Sequence, residues 1–104
     1  MKYLITESQL SNIIFRYLNS QNFFKVEDDL DVLFWKSKLS WEKSEYVIIS
    51  ARKWGDCFIS SSLLTEISSM FSLSLEDALN VIGAWVNTQI DFKVYDFYSD
   101  YGAD

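Results

Sequence analysis

The sequence predicts an α+β domain in which three α-helices pack on a three-stranded antiparallel β-meander, and a fourth strand near the C-terminus is a further candidate. Apolar residues recur at helical spacing near the N-terminus and again within residues 61–88. Between these regions lie three short segments rich in branched and aromatic residues, the composition that strands favour. Because 49% of the residues are hydrophobic and 17% aromatic, the chain has enough apolar surface for a core. We therefore expect residues 1–104 to form a single domain.

The first helix is predicted over residues 6–19. Its apolar residues follow the i, i+3, i+4, i+7 spacing that places side chains on one helix face: Leu10, Ile13, Ile14, Tyr17 and Leu18. Thr6 and Gln9 have the spacing of a capping box, and Ile5 with Leu10 has that of a hydrophobic staple. Residues 19–31, which end in an acidic run, are predicted to form a loop.

The meander is predicted from strands at residues 32–36, 45–52 and 56–60. The last two are separated by Lys53, Trp54 and Gly55, and glycine accepts the positive φ that tight hairpin loops require.

Two more helices are predicted after the meander. Leu63, Leu64, Ile67, Met70 and Phe71 have helical spacing, with Ser61 or Ser62 as the N-cap. A third helix is expected over residues 75–88, capped by Ser74, with Glu76 and Asp77 in the first turn where the helix dipole favours negative charge. Gly83 within it indicates close packing. Alternation of Ile90, Phe92 and Val94 with polar residues predicts the C-terminal strand.

The composition argues against most enzyme chemistry. The chain has no histidine, which removes the usual general base, proton shuttle and zinc ligand together. Cys57 is the single cysteine, and we expect a buried, inert thiol. The run Glu27, Asp28, Asp29 and Asp31 has the oxygen ligands that calcium prefers, but it lacks the glycine and distal Glu of an EF-hand, so a solvated loop is expected. We predict no catalytic residue, no metal site and no cofactor.

The two C-terminal helices have the order of a helix-turn-helix, but their charge argues against duplex DNA as a partner. Residues 61–88 contain Glu66, Glu76 and Asp77 and no lysine or arginine. Phosphate contacts from basic side chains supply nearly all non-specific DNA affinity. We therefore interpret this helix pair as scaffolding.

Two segments are candidate binding surfaces. The aromatic and acidic C-terminal strip predicts protein binding, because Tyr and Phe are enriched at interfaces and aspartates steer basic partners; its candidate residues are Phe92, Tyr95, Asp96, Phe97, Tyr98, Asp100 and Tyr101. The alternative for this strip is an edge strand whose apolar residues complete the core.

Residues 32–53 carry a local charge of +3 within a chain of net charge −6. Aromatic residues beside cations are typical of single-stranded nucleic-acid sites; the candidates are Trp35, Lys36, Lys38, Lys43, Arg52, Lys53 and Trp54. The alternative is that the tryptophans pack in the core while the lysines protect a sheet edge.

The N-terminus resembles small proteins of tailed phages and environmental viral sequences. The similarity begins with the opening residues, Met1-Lys2-Tyr3-Leu4-Ile5-Thr6-Glu7-Ser8-Gln9-Leu10, and continues in the segments at 33–35, 67–73 and 81–85. It covers most of residues 1–88, while the tail from Phe92 to Asp104 departs from the pattern. The resemblance implies an accessory viral protein made inside a bacterial host.

Taken together, these features predict a non-catalytic accessory protein of a phage that binds a host or viral protein, as an inhibitor or adaptor. Nucleic-acid binding and a structural role in the virion are the alternatives, and association into a homo-oligomer is open.

The N-terminus turns polar after Ile5, and no apolar run approaches the roughly 20 residues that span a bilayer. We therefore expect no signal peptide, no membrane partner and a cytoplasmic location in the host cell.

Overall fold

The computed structural model describes residues 7–100, and side chains over residues 9–99. Four helices and five strands follow one another in this part of the chain. Their order is α1 (Glu7–Ser20), β1 (Phe24–Glu27), β2 (Asp31–Trp35), α2 (Lys38–Glu42), β3 (Val47–Arg52), β4 (Asp56–Ser60), α3 (Ser61–Phe71), α4 (Leu75–Val86) and β5 (Asp96–Asp100). The predicted α+β class is confirmed.

The five strands form one mixed sheet in the order β1-β2-β3-β4-β5. Neighbours from β1 to β4 are antiparallel, and β5 pairs with β4 in parallel. The meander is therefore longer than predicted by one strand at its start. The last strand is added in parallel because α3 and α4 lie between β4 and β5 and form the crossover that parallel pairing requires.

The core lies between one face of the sheet and the helices α1, α3 and α4. Phe34 of β2 contacts Trp85 of α4 with ring centroids 5.7 Å apart, and Phe97 of β5 packs against Gly83. Ile14 and Leu18 of α1 are almost completely buried. Every second strand residue points into this core, so Val32, Phe34, Ile49, Ala51, Cys57 and Ile59 have at most 2% of their surface exposed. Cys57 is buried as expected.

Serine side chains cap both C-terminal helices. Ser74 accepts a hydrogen bond from the backbone N–H of Asp77, as predicted. In α3 the cap is Ser60, which accepts from Leu63 N, rather than Ser61 or Ser62. The helix begins one residue earlier than its apolar pattern indicates because β4 leads into it directly. The predicted capping box and staple depend on Thr6 and Ile5, which lie outside the described residues.

Two predictions about local structure are wrong. The segment predicted as a loop contains β1, whose half-buried and exposed residues alternate over only four positions. The segment predicted as a strand from Ile90, Phe92 and Val94 is irregular, and β5 begins at Asp96. The alternating apolar side chains of Ile90, Phe92 and Val94 pack on the core, but the backbone of this segment is not part of the sheet. The short helix α2 was also not predicted from the sequence.

The connection at 87–95 brings the chain back to the start of β5. Both the N–H and the carbonyl of Val94 are bound by the Asn87 side chain, at 2.8 and 2.9 Å, and Val94 itself is fully buried. At the end of this connection, the N–H groups of Tyr95 and Asp96 donate to the carbonyl of Gly55 at 2.9 and 3.2 Å. Gly55 has φ of +112°, the positive value expected for this turn. The turn between β3 and β4 therefore fixes where β5 starts.

Candidate functional site

The face of the sheet opposite the helices carries the candidate site, and we call it the open face. Its side chains alternate with those of the core, and all of them retain solvent exposure. Within the described residues, the helices α1, α3 and α4 pack on the other side. The open face comprises Phe24, Val26, Asp31, Leu33, Trp35, Val47, Ser50, Arg52, Asp56, Phe58, Asp96 and Tyr98.

A largely apolar row crosses the middle of the open face. Direct cross-strand partners place one residue from each strand in this middle row: Val26, Leu33, Ser50, Phe58 and Tyr98. The rings of Phe58 and Tyr98 are stacked, with centroids 5.4 Å apart and an interplanar angle of 28°. Tyr98 is nevertheless 46% exposed. The row therefore ends at the β5 edge in a stacked aromatic pair that is open to solvent.

Arg52 extends this aromatic cluster towards the turn between β3 and β4. Its guanidinium carbon lies 5.2 Å from the ring centre of Trp54 and 5.1 Å from that of Phe58, which is cation–π distance for both. Trp54 donates from Nε1 to Asp56 at 2.9 Å, and its carbonyl accepts from the Tyr95 hydroxyl at 3.1 Å. These contacts hold Trp54 in place although 52% of its surface is exposed.

Acidic side chains dominate the end of the open face that carries the two hairpin turns, which we call the turn end. Asp31 is the cross-strand partner of Arg52, and Asp56 is the partner of Asp96. We call Asp31, Asp56 and Asp96 the acidic row. Within the described residues, none of the three forms an ion pair. The row therefore has three carboxylates against one guanidinium that is already engaged with aromatic rings.

Three polar atoms of the open face are buried and lack a hydrogen-bond partner: Asp31 Oδ1, Trp35 Nε1 and Arg52 Nε. Buried polar groups in proteins are normally satisfied, and each unsatisfied one carries a desolvation cost. All three belong to the adjacent strands β2 and β3.

The opposite end of the open face is aromatic and is bordered by α2. Phe24 pairs with Trp35 across the strands, and its ring centroid lies 5.4 Å from that of Trp41 in α2. Trp41 is 40% exposed. Ser37 caps α2 by accepting from Ser40 N at 3.1 Å, which orients the short helix at this corner.

The structure divides the predicted C-terminal strip between two environments. Phe92 and Phe97 pack against the core, the position that the edge-strand alternative gives them. Asp96 and Tyr98 lie on the open face, and Tyr95 is exposed beside the turn of Gly55. Asp100 ends β5, and Tyr101 lies outside the described residues. Apart from Trp35, sequence reasoning missed the residues from β1, β2 and β4 that share this face, because only the sheet register brings them together.

The predicted basic segment is divided between opposite ends of the sheet. Trp35 and Arg52 lie on the open face, and Lys53 and Trp54 follow in the turn. The remaining lysines lie beyond the far end of β2, at Lys36, Lys38 and Lys43. Because Lys36 is five residues from Asp31, the partner of Arg52, the two groups are about 16 Å apart along the strand.

The acidic run and Cys57 have structural explanations. Asp28 Oδ1 accepts from the backbone N–H of Leu30 at 2.9 Å and of Asp31 at 3.0 Å, which closes the turn between β1 and β2. These bonds lower the pKa of Asp28. Burial raises the pKa of the Cys57 thiol to about 12. Among the side chains described over residues 9–99, no three from His, Cys, Asp or Glu converge in a group that could hold a metal ion.

The surface away from the open face also has recesses. A cleft of about 690 Å³ opens between α2, the start of β3 and α3, with Lys36, Tyr46, Ile48 and Ser62 in its lining. A groove of about 380 Å³ runs between α1 and α4, with a partly apolar lining that includes Leu10, Ile14, Leu73 and Val81.

Comparisons with known proteins give no relative from which a function could be transferred. No protein-family model matches the chain, and searches of curated proteins and of solved structures give no significant match. Over the part of the chain that the structure describes, none of the helices is long and apolar enough to cross a membrane.

Proposed function

We propose that the protein is a non-catalytic binding module that docks another protein on the open face of its sheet. The observation that carries this proposal is the register that places Phe58 and Tyr98 beside Arg52 and Trp54 on a face that the three packing helices leave exposed. Aromatic residues and arginine are the side chains that most often dominate binding energy at protein interfaces. The phage origin implied by the N-terminal resemblance is part of the same proposal, with a host or viral protein as partner.

The chemistry of the face supports binding rather than turnover. The stacked rings of Phe58 and Tyr98 give a partner a large contact area whose geometry is fixed before binding, which lowers the entropy cost of association. An inhibitor or an adaptor uses a surface of this kind equally well.

Single-stranded nucleic acid is the second candidate, and the Arg52 stack is the observation that favours it. Bases stack on exposed aromatic rings beside cations. The acidic row lies next to these rings, however, and phosphates are repelled by carboxylates. The three lysines near α2 are also too distant to offset that repulsion at Arg52. Protein is therefore the partner class that this face fits better.

Site-specific photocrosslinking tests the proposal. Benzoylphenylalanine replaces Tyr98 on the open face in one protein and Met70 on α3 in a control, since both sites are about half exposed. Crosslinked partners are recovered from bacterial extract, identified by mass spectrometry and purified. We expect a partner that crosslinks at position 98 and not at position 70.

Calorimetry with the purified partner then measures the contribution of the face. We expect Tyr98→Ala to weaken binding about tenfold or more, as a hot-spot aromatic does, and Met70→Ala to leave the affinity unchanged. Equal crosslinking at both positions, or equal affinity of the two alanine variants, would contradict docking on the open face. Saturable binding of oligothymidine with loss on Arg52→Ala would instead favour the nucleic-acid alternative.

A further inference from the structure

We infer that the partner presents a basic segment, with arginine or lysine side chains, to the turn end of the open face. This inference rests on the proposed function and specifies the chemistry of the partner. It starts from the charge of the acidic row, where three carboxylates on β2, β4 and β5 lie in line with one guanidinium on β3. The adjoining turns add Asp28 and Asp29 against Lys53, so the excess of negative charge continues to the rim.

The positions of Asp56 and Asp96 make this excess unfavourable in the isolated protein. They are direct partners on neighbouring strands, where side chains lie about 5 Å apart and like charges destabilise the pair. Asp56 accepts one hydrogen bond, from Trp54 Nε1, and neither residue has a cation within ion-pair distance in the described part of the chain. A cationic group from a partner would remove this repulsion.

The neighbouring rings suit the remainder of a basic side chain. Trp54 and Tyr98 flank the acidic row and are both about half exposed. Long basic side chains lay their aliphatic stems on apolar surface while the charged head reaches carboxylates, and aromatic faces attract the cation itself. Arg52 already shows the ring part of this arrangement, with its guanidinium at cation–π distance from Trp54 and Phe58. A second arginine or lysine, supplied by the partner, would find the ring of Tyr98 beside the carboxylates of Asp56 and Asp96.

Charge also distinguishes this occupant from others. A nucleic acid would bring phosphates to the acidic row, and a second copy of this chain would bring a further net charge of −6. A basic segment is attracted to the acidic row at long range, and this attraction accelerates association at low salt. On contact, the carboxylates of the row stabilise the bound segment.

Peptide binding to the full chain tests this inference. The probes are fluorescent peptides of repeated Arg-Ser, Lys-Ser or Glu-Ser, together with oligothymidine, followed by anisotropy. The row variant carries Asp31→Asn, Asp56→Asn and Asp96→Asn. The matched control carries Glu76→Gln, Asp77→Asn and Asp91→Asn, which change the net charge equally at residues outside the open face.

We expect the Arg-Ser and Lys-Ser peptides to bind the unaltered protein and the control alike, and to bind the row variant at least about tenfold more weakly. Their affinity should fall between about 50 and 300 mM salt as screening increases. Equal weakening in both triple variants would overturn the inference, since net charge alone would then explain binding. Absence of basic-peptide binding, or preference for the Glu-Ser peptide or oligothymidine, would overturn it as well.

Two further measurements keep the test decisive. Circular dichroism establishes that the row variant is folded, and the double variant Asp31→Asn/Asp96→Asn, which leaves the Trp54 contact intact, replaces it if it is not. The crosslinked partner is also tested against the row variant. If the partner binds the row variant with unchanged affinity, a basic partner is refuted while the open face remains the docking surface. If the protein that keeps all three aspartates crosslinks no partner selectively at position 98, the proposed function itself is refuted. A dimer that is disrupted by Tyr98→Ala in light scattering would assign the face to self-association and overturn both.

Discussion

Replacing Gly83 with alanine tests how α4 packs on β5. A β-carbon at this position would lie 2.6 Å from Phe97 Cζ and closer still to Cε1, whereas ordinary contacts begin near 3.4 Å. Gly83 is buried in the middle of α4, and Phe97 packs on the core from an edge strand. The substitution therefore forces the Phe97 ring, and with it β5, away from the helix.

Two opposing terms determine the net effect of Gly83→Ala on the free energy of unfolding. Alanine is favoured over glycine in a helix interior by about 1 kcal/mol. Overpacking a well-filled core costs about 1–3 kcal/mol, and the upper half applies here because the overlap exceeds what small side-chain shifts absorb. We expect a net loss of about 1–2 kcal/mol.

Urea denaturation followed by tryptophan fluorescence measures this loss, since Trp85 lies in the same helix and is 97% buried. Ala84→Gly, at an exposed neighbouring position, calibrates the helix term and should cost about 1 kcal/mol. In the double variant Gly83→Ala/Phe97→Leu the shorter side chain should relieve the overlap, giving a favourable coupling of about 1–2 kcal/mol. If Gly83→Ala is as stable as the unaltered protein, or if the two substitutions are additive, the inferred contact between α4 and β5 is wrong.

Three other predictions concern the cap, the thiol and the β1–β2 turn. Ser74→Ala should lower stability by about 1 kcal/mol in urea denaturation because Asp77 N loses its acceptor, while Ser69→Ala at an exposed site in α3 should not. Cys57 should react with a thiol reagent at pH 8 only as the protein unfolds, since burial raises its pKa to about 12; rapid labelling in the absence of urea would contradict its burial. Asp28 has a lowered pKa in the folded state, so its stabilising contribution is present above the unfolded pKa and is lost as the pH falls through the folded pKa. Asp28→Ala should therefore be less stable than the unaltered protein at neutral pH, with the difference vanishing in acid; a difference that persists at low pH would argue against this linkage.

The three long helices could be predicted because their apolar spacing is a local pattern, whereas the caps were predicted only in part: Ser74 caps α4, but Ser60 rather than Ser61 or Ser62 caps α3. Of the predicted stripe in the first helix, Leu10, Ile14, Tyr17 and Leu18 pack in or against the core, whereas Ile13 is 44% exposed. The three central strands were also predicted, with boundaries correct to within two residues. Cys57 was expected to be buried, and it is.

The edges of the sheet could not be predicted because they depend on pairing between distant residues. β1 is only four residues long, with Lys25 between Phe24 and Val26, so its sequence resembles a loop until β2 lies beside it. The alternation of Ile90, Phe92 and Val94 has the period of a strand, but it anchors an irregular connection to the core. Local periodicity indicates which side chains are buried, but it does not indicate whether the backbone pairs with another strand.

The candidate site also combines features that follow from the sequence with features that depend on the tertiary structure. The sequence by itself determined an acidic, aromatic chain without histidine, and from that composition we predict contact chemistry rather than proton transfer. Only the tertiary structure decided that Tyr98 stacks on Phe58, that Arg52 lies between two rings, and that Asp56 faces Asp96. The physical reason is that a binding face is made by cross-strand register, which joins residues 40 positions apart, such as Asp56 and Asp96, through backbone hydrogen bonds that no local pattern encodes.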